Sequence, residues 1–215
     1  MIYRDRMAAG RMLAVLLAEY AHRDDTIVLA LPRGGVPVAR EIALALQAPL
    51  DVLVVRKLGL PWQPEFAAGA IAPGGVIVLN REAKAEIPGL NRLLEPVVTQ
   101  ELQELARREA AYRRGRPPMV VGGRIVILVD DGIATGATME AAAVAMRAMN
   151  ARTIVIAVPV APPGTIRRLA RLADRIVCPE QPADFFAVGQ YYDEFPQLTD
   201  DEVVQLLAPG DPVVD

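Results

Sequence analysis

The chain has 215 residues, 53% hydrophobic and 23% charged, enough to bury the core of one domain and without low-complexity tracts or internal repeats. A formal net charge of −3, from 23 Lys and Arg against 26 Asp and Glu, gives no electrostatic footprint for nucleic acid and favours a small-molecule partner. One cysteine and one histidine exclude an intrachain disulfide and supply neither a zinc constellation nor a Ser/His/Asp triad.

Leu13, Leu16, Leu17 and Tyr20 recur at helical spacing and predict a helix over residues 5–21. His22 follows in a polar connection and reads as a solvated loop residue. Residues 26–31 read as a strand, 36–47 as a helix and 51–55 as a second strand. Leu31-Pro32-Arg33-Gly34-Gly35 therefore stands at the carboxyl end of the first strand, in front of a helix. Two glycines and a cation there suit a pyrophosphate held on backbone amides. The loop lacks the Gly-Lys-Ser/Thr ending of a nucleoside-triphosphate loop. Arg56 and Lys57, following the second strand, are expected at the same sheet edge, where they would neutralise an anionic leaving group.

From Leu58 to Gly123 the alternation breaks. Residues 59–64 read as a loop, and 67–72 and 76–80 as two short strands joined by Pro73-Gly74-Gly75. A charged helix is expected over 96–114, with Leu102 and Leu105 inward and the pairs Glu104–Arg108 and Glu109–Arg113 four residues apart. The alternation then resumes: strand 124–129, helix 139–149, strand 153–158, helix 164–172 and strand 175–178. The last of these ends at Cys178, which reads as a buried structural thiol. β-Branched runs separated by helices predict a parallel sheet covered on both faces, with ligands bound beyond the carboxyl ends of its strands.

The most informative segment is Asp130-Asp131-Gly132-Ile133-Ala134-Thr135-Gly136-Ala137-Thr138, between an apolar strand and a helix. The amides of residues 134–138 and the hydroxyls of Thr135 and Thr138 can converge on one anion at the helix N-terminus. Gly132 and Gly136 allow close backbone approach. Asp130 and Asp131 repel a phosphate, so their natural partners are hydroxyl donors or a hard cation such as Mg²⁺.

This segment resembles the diphosphate-sugar signature of type I phosphoribosyltransferases, which bind 5-phospho-α-D-ribose 1-diphosphate (PRPP). The resemblance covers residues 26–58 and 124–193. It implies that Asp130 and Asp131 contact the ribose hydroxyls and that Gly132, Ala134, Thr135, Gly136, Ala137 and Thr138 wrap the 5′-phosphate. It further implies that Arg33, Gly34 and Gly35, with Arg56 and Lys57, hold the diphosphate, with a non-proline cis peptide at Pro32–Arg33. By the same resemblance residues 184–193 look like the hood of 6-oxopurine phosphoribosyltransferases. Phe186 would stack on the acceptor, and Asp193, with Asp130 and Asp131, would help hold Mg²⁺.

Two departures concern the acceptor. The 6-oxopurine enzymes carry an Asp where this chain has Ala134, and a Lys where it has Val158-Pro159-Val160. The Ala-Thr-Gly loop is closer to adenine phosphoribosyltransferases, which lack the Phe-Phe-Ala-Val-Gly hood, and the overall match is to bacterial phosphoribosyltransferase-domain proteins of open substrate. Glu65, in the expected mobile loop, is the candidate general base.

The expectation is thus a single α/β domain over 1–215, a mainly parallel sheet flanked by helices, with an inserted helical and β-hairpin cap at 59–123 and a hood at 179–207. The implied activity is Mg²⁺-dependent, nucleotide-salvage-type transfer of a phosphoribosyl group from PRPP to a nucleobase-like nitrogen acceptor, with Lys57, Asp130 and Asp131 as catalytic residues. The alternative is a PRPP-binding regulator without turnover. No nucleic-acid or membrane partner is expected, and the cap is long enough for a homo-oligomer contact. Residues 1–6 lack the plan of a signal peptide, so the expected location is the cytoplasm.

Overall fold

The computed structural model describes residues 2–60, 62–114, 116–117 and 119–208, apart from the side chains of residues 64–67 and 81–82. In chain order the regular elements are α1 (Arg6–Leu16), β1 (Thr26–Ala30), α2 (Gly35–Leu46), β2 (Leu50–Val52), β3 (Arg56–Leu60), β4 (Gln63–Ala72), β5 (Val76–Leu79), α3 (Arg81–Glu86) and α4 (Leu90–Arg113). They continue with β6 (Ile125–Val129), α5 (Ala137–Ala148), β7 (Thr153–Ala157), α6 (Pro163–Leu169), β8 (Arg175–Val177) and α7 (Asp200–Leu207).

Five strands form a parallel sheet in the order β2-β1-β6-β7-β8. Alternate residues of its strands enter two cores. Val28, Ala30, Ile127, Val129 and Val155 face α1, α2 and α7, while Ile27, Leu29, Val126, Leu128 and Ile156 face α5 and α6. This two-sided burial explains why the strands read as unbroken apolar runs. The register Ala30↔Val129 brings the ends of β1 and β6 together, and the Leu31 N–H donates to the Val129 carbonyl at 2.8 Å. The loops that follow these two strands are therefore neighbours.

The 59–123 interval differs from expectation at both ends. Residues 59–64, read as a loop, belong largely to a hairpin: β3, β4 and β5 form an antiparallel sheet in that order, with register shifts around Gly59 that absorb the glycine. The charged helix begins at Leu90 rather than at residue 96 and runs through Pro96, which costs one i→i−4 bond near its start. The Glu104–Arg108 pair forms at 2.7 Å, but Arg113 turns to Asp51 at 2.8 Å instead of Glu109. Leu105 is buried and Leu102 half-buried, as the spacing implied. Leu58, Ile71, Leu94 and Leu105 share one buried cluster with Val28 and Ile42, so the insertion has no separate core.

The first helix is shorter than expected. Asp5 caps it, its carboxylate accepting from the Ala8 N–H at 2.7 Å, and Ala18–Tyr20 form a separate 3₁₀ turn. After the hood comes α7, a separate helix within the interval that the sequence reading assigns whole to the hood. Among the described residues no helix is long and apolar enough to cross a membrane.

Candidate functional site

The loops after β1 and β6 meet at the carboxyl edge of the sheet. Gly34 lies against Asp131 so closely that a Cβ there would fall 2.0 Å from Asp131 Oδ2, and one on Gly35 would fall 2.5 Å from the Val129 carbonyl. The diphosphate-type loop and the two acids are thus one surface. The Pro32–Arg33 peptide is cis, at the bond expected.

Asp130 is bent back so that its Oδ1 accepts from the Asp131 N–H at 2.9 Å. Burial first, and then the neighbouring Asp131 carboxylate, push its acid well above the ordinary carboxylate range. Asp131 forms an ion pair with Arg6 of α1, Nε to Oδ2 at 2.7 Å, the side chains being 10% and 13% exposed. The Tyr192 hydroxyl donates to the Asp131 carbonyl at 2.6 Å; burial above all keeps this phenol protonated and therefore a donor. Neither Arg6 nor Tyr192 was among the candidate residues. Arg6 carried no local signal, because its partner lies 125 positions away.

The phosphate-type loop runs from Gly132 to Thr138. Gly132 allows the hood to close on it, since a Cβ there would meet Val188 Cγ1 at 2.6 Å. Gly136 has a φ of 79° and stands as the N-cap of α5. Ala137 and Thr138 then open the helix, so the first-turn amides have no intrahelical acceptor and point toward the loop. From α6, the Thr165 hydroxyl donates to the Ala134 carbonyl at 2.9 Å and Arg168 donates to the Thr135 carbonyl. With the carbonyls turned outward onto α6, the exposed Ala134, Thr135 and Thr138 border an open cradle.

The remaining candidates are placed less uniformly. Arg33, half-exposed, lies 3.7 Å from Asp200 at the start of α7, whose carboxylate also accepts from the Tyr112 hydroxyl at 2.8 Å. Arg56, expected at the sheet edge, lies in β3 and pairs with Glu101 of α4 at 2.5 Å, so its charge is engaged by the cap. Lys57 is in the same strand, opposite Ala70. Phe186 is 82% exposed, an open platform, whereas Phe185 stacks on Tyr191. Asp193 follows Tyr192 in the hood, its N–H bonded to the Tyr3 carbonyl at 2.9 Å. The side chain of Glu65 lies outside the described residues.

Among the described residues no group of three or more His, Cys, Asp or Glu is placed to cage a metal ion, so Asp130, Asp131 and Asp193 do not form one preformed cluster. The adjacent Asp130 and Asp131 carboxylates are hard oxygen donors of the kind that meets Mg²⁺ together with substrate phosphates.

A family model described as the phosphoribosyl transferase domain matches residues 3–194. A Mycobacterium tuberculosis H37Rv protein, classed by its name with the phosphoribosyl transferases, is 51% identical over 206 residues. That match covers 96% of this chain but 46% of the other, so the chain spans about half the length of the curated relatives it matches. The crystal structure of TT1426 from Thermus thermophilus is 44% identical, with a TM-score of 0.88 over 96% of this chain and 98% of that one. A hypoxanthine-guanine phosphoribosyltransferase from Bacillus anthracis shares the fold at 12% identity, with a TM-score of 0.50 over 86% of this chain and 84% of its own.

Proposed function

Because the chain belongs to the phosphoribosyl transferase domain family, we propose that it moves the 5-phosphoribosyl group of PRPP to a nucleobase-like nitrogen acceptor and releases pyrophosphate, a reaction of the nucleotide-salvage type. The observation that carries this reading is the contact between Gly34 and Asp131: a glycine loop suited to diphosphate and an acid suited to ribose hydroxyls share one sheet edge, beside an open helix N-terminus.

In this reading the 5′-phosphate sits on the amides and hydroxyls of residues 134–138. Asp130 and Asp131 accept from the ribose hydroxyls. Arg33, the amide of Gly34 and Lys57 receive the diphosphate, the Gly35 N–H being spent on the Leu31 carbonyl at 3.1 Å. The carboxylates of Asp130, Asp131 and Asp193 would be the ones to help hold Mg²⁺ alongside the diphosphate, where the ion would supply positive charge for the leaving group. The C1–O bond to diphosphate breaks, its electron pair leaving with pyrophosphate, as the acceptor nitrogen bonds to C1 and its proton passes to solvent. The protein's contribution is to align the two and to stabilise the separating charge. Phe186 offers its ring to the acceptor.

The test is pyrophosphate release from PRPP and Mg²⁺ with purines, pyrimidines and related heterocycles, beside Asp131→Asn and a control without acceptor. Acceptor-dependent release that the variant lacks supports the transferase. A second reading is a PRPP-binding regulator, in which Ala134 supplies a methyl where the 6-oxopurine enzymes carry an Asp. Saturable PRPP binding with no release would select it, and no PRPP binding would overturn both.

A further inference from the structure

We infer that Arg6 is a positioning residue that couples the ribose-binding acid to the hood, so that PRPP is held tightly only while the hood is seated on the N-terminal segment. This rests on the PRPP reading of the preceding subsection.

Arg6 is one of the few charged side chains buried among the described residues. Its guanidinium meets three partners. Nε donates to Asp131 Oδ2 at 2.7 Å, and Nη1 donates to the Pro196 carbonyl at 2.8 Å. Its plane lies over the Phe195 ring, with Cζ 3.8 Å from the centroid. One partner is the ribose acid, and the other two belong to the end of the hood. A guanidinium is suited to this because its donors diverge in one plane while its face remains free to stack.

The hood has independent ties to the same place. Tyr3 donates its N–H to the Tyr191 carbonyl at 2.8 Å, and Asp193 and Glu194 donate theirs to the carbonyls of Tyr3 and Arg4, both at 2.9 Å. Tyr192 stacks on Phe195 with centroids 4.9 Å apart, and its hydroxyl reaches the Asp131 carbonyl. Asp131 is therefore gripped twice by groups that depend on the hood: at its backbone by Tyr192, and at its carboxylate by an arginine that Phe195 and Pro196 hold in place. If the hood lifts, Arg6 loses two of three partners, and the carboxylate loses its fixed orientation.

Arg6→Lys keeps a cation beside Asp131 but has no planar face to stack and no rigid fork holding two donors in fixed directions. Phe195→Leu removes the ring beneath the guanidinium. The experiment is calorimetric titration of PRPP with Mg²⁺ into the wild-type chain, both single variants and the double variant, each checked by thermal melting to be folded at the titration temperature. The expected result is that Phe195→Leu weakens PRPP binding by about tenfold, Arg6→Lys by a similar factor, and the double variant by little more than either. A purely structural pin would lower the melting temperatures and leave the dissociation constant of the folded protein unchanged, which would overturn the inference. Additive losses would also overturn it. Phe195→Leu alone is decisive if Arg6→Lys fails to fold, since unchanged PRPP affinity there means the hood does not act on the ribose acid. Failure of the wild-type chain to bind PRPP would instead overturn the functional reading beneath it.

Discussion

Gly34 has no room for a side chain because the Asp131 carboxylate fills the space where one would begin, 2.0 Å from an ideal Cβ. The backbone at Gly34 is ordinary right-handed helical, φ −61° and ψ −34°, so the requirement comes from contact and not from conformation. Gly34→Ala must displace either the loop or the acid. Overpacking of this kind costs about 1–3 kcal/mol. A lower melting temperature together with PRPP affinity reduced by more than tenfold is expected, measured by scanning calorimetry and titration; a variant that binds PRPP normally would separate the two loops functionally.

Asp130 gives a pH signature. Its acid is raised by burial and by Asp131, so its favourable contribution is complete below the unfolded carboxylate value of about 3.9 and is lost as pH rises through the higher folded value. Asp130→Asn stays neutral throughout. In ligand-free protein it should melt higher than wild type at pH 7, with the gap closing toward pH 4, while PRPP binding weakens. Melts between pH 4 and 8 that ran parallel would refute the assignment.

Phe186 is so exposed that its removal leaves the core intact. If it carries the acceptor, Phe186→Ala should raise the acceptor KM by roughly tenfold, within the range of base–aromatic stacking, and leave both the melting temperature and the KM for PRPP unchanged. Steady-state kinetics with each substrate varied in turn would show whether the loss is confined to the acceptor.

The short helix α7 depends on a capping box: Thr199 Oγ1 accepts from the Glu202 N–H at 3.2 Å, and the Glu202 carboxylate accepts from the Thr199 N–H at 2.7 Å. Thr199→Ala should cost about 1 kcal/mol, a fall of about 2–4 °C in Tm for a chain of this size. Because Asp200 meets both Arg33 and Tyr112, the same variant should loosen the loop at Arg33, which hydrogen exchange at residues 33–35 would detect.

Cys178 is buried, and desolvation above all pushes its thiol up to about 12. The thiolate is thus scarce at neutral pH. Iodoacetamide should modify the native protein far more slowly than the unfolded one at pH 8, and equal rates would show that the strand end opens freely.

The parallel sheet was legible because each of its central strands is buried on both faces and so reads as an apolar run. The acid–glycine–hydroxyl loop was legible for a related reason: its chemistry is contiguous in sequence. β3 was not, since Gly59 and the flanking prolines are turn signals, and only pairing with β4 makes residues 56–60 a strand. The start of α4 was misplaced because Pro96 is a favoured first residue, whereas packing of Leu90 and Leu94 carries the helix through it. The box at Thr199 and Glu202 is local and therefore readable from sequence. Arg6 and Tyr192 belong to another category, since what makes them part of the site is tertiary contact that no local pattern encodes.

The pairing of Tyr3 and Arg4 with residues 191–194 bears on how the protein is born at the ribosome. The 130–138 loop with its two acids is synthesised well before the segment that clamps it, and Tyr3 and Arg4 stay unpaired with that segment until residues 191–194 have emerged. A nascent chain can therefore complete its parallel sheet while the pocket is still unfinished, and the pocket closes afterwards, through contacts between segments about 190 residues apart.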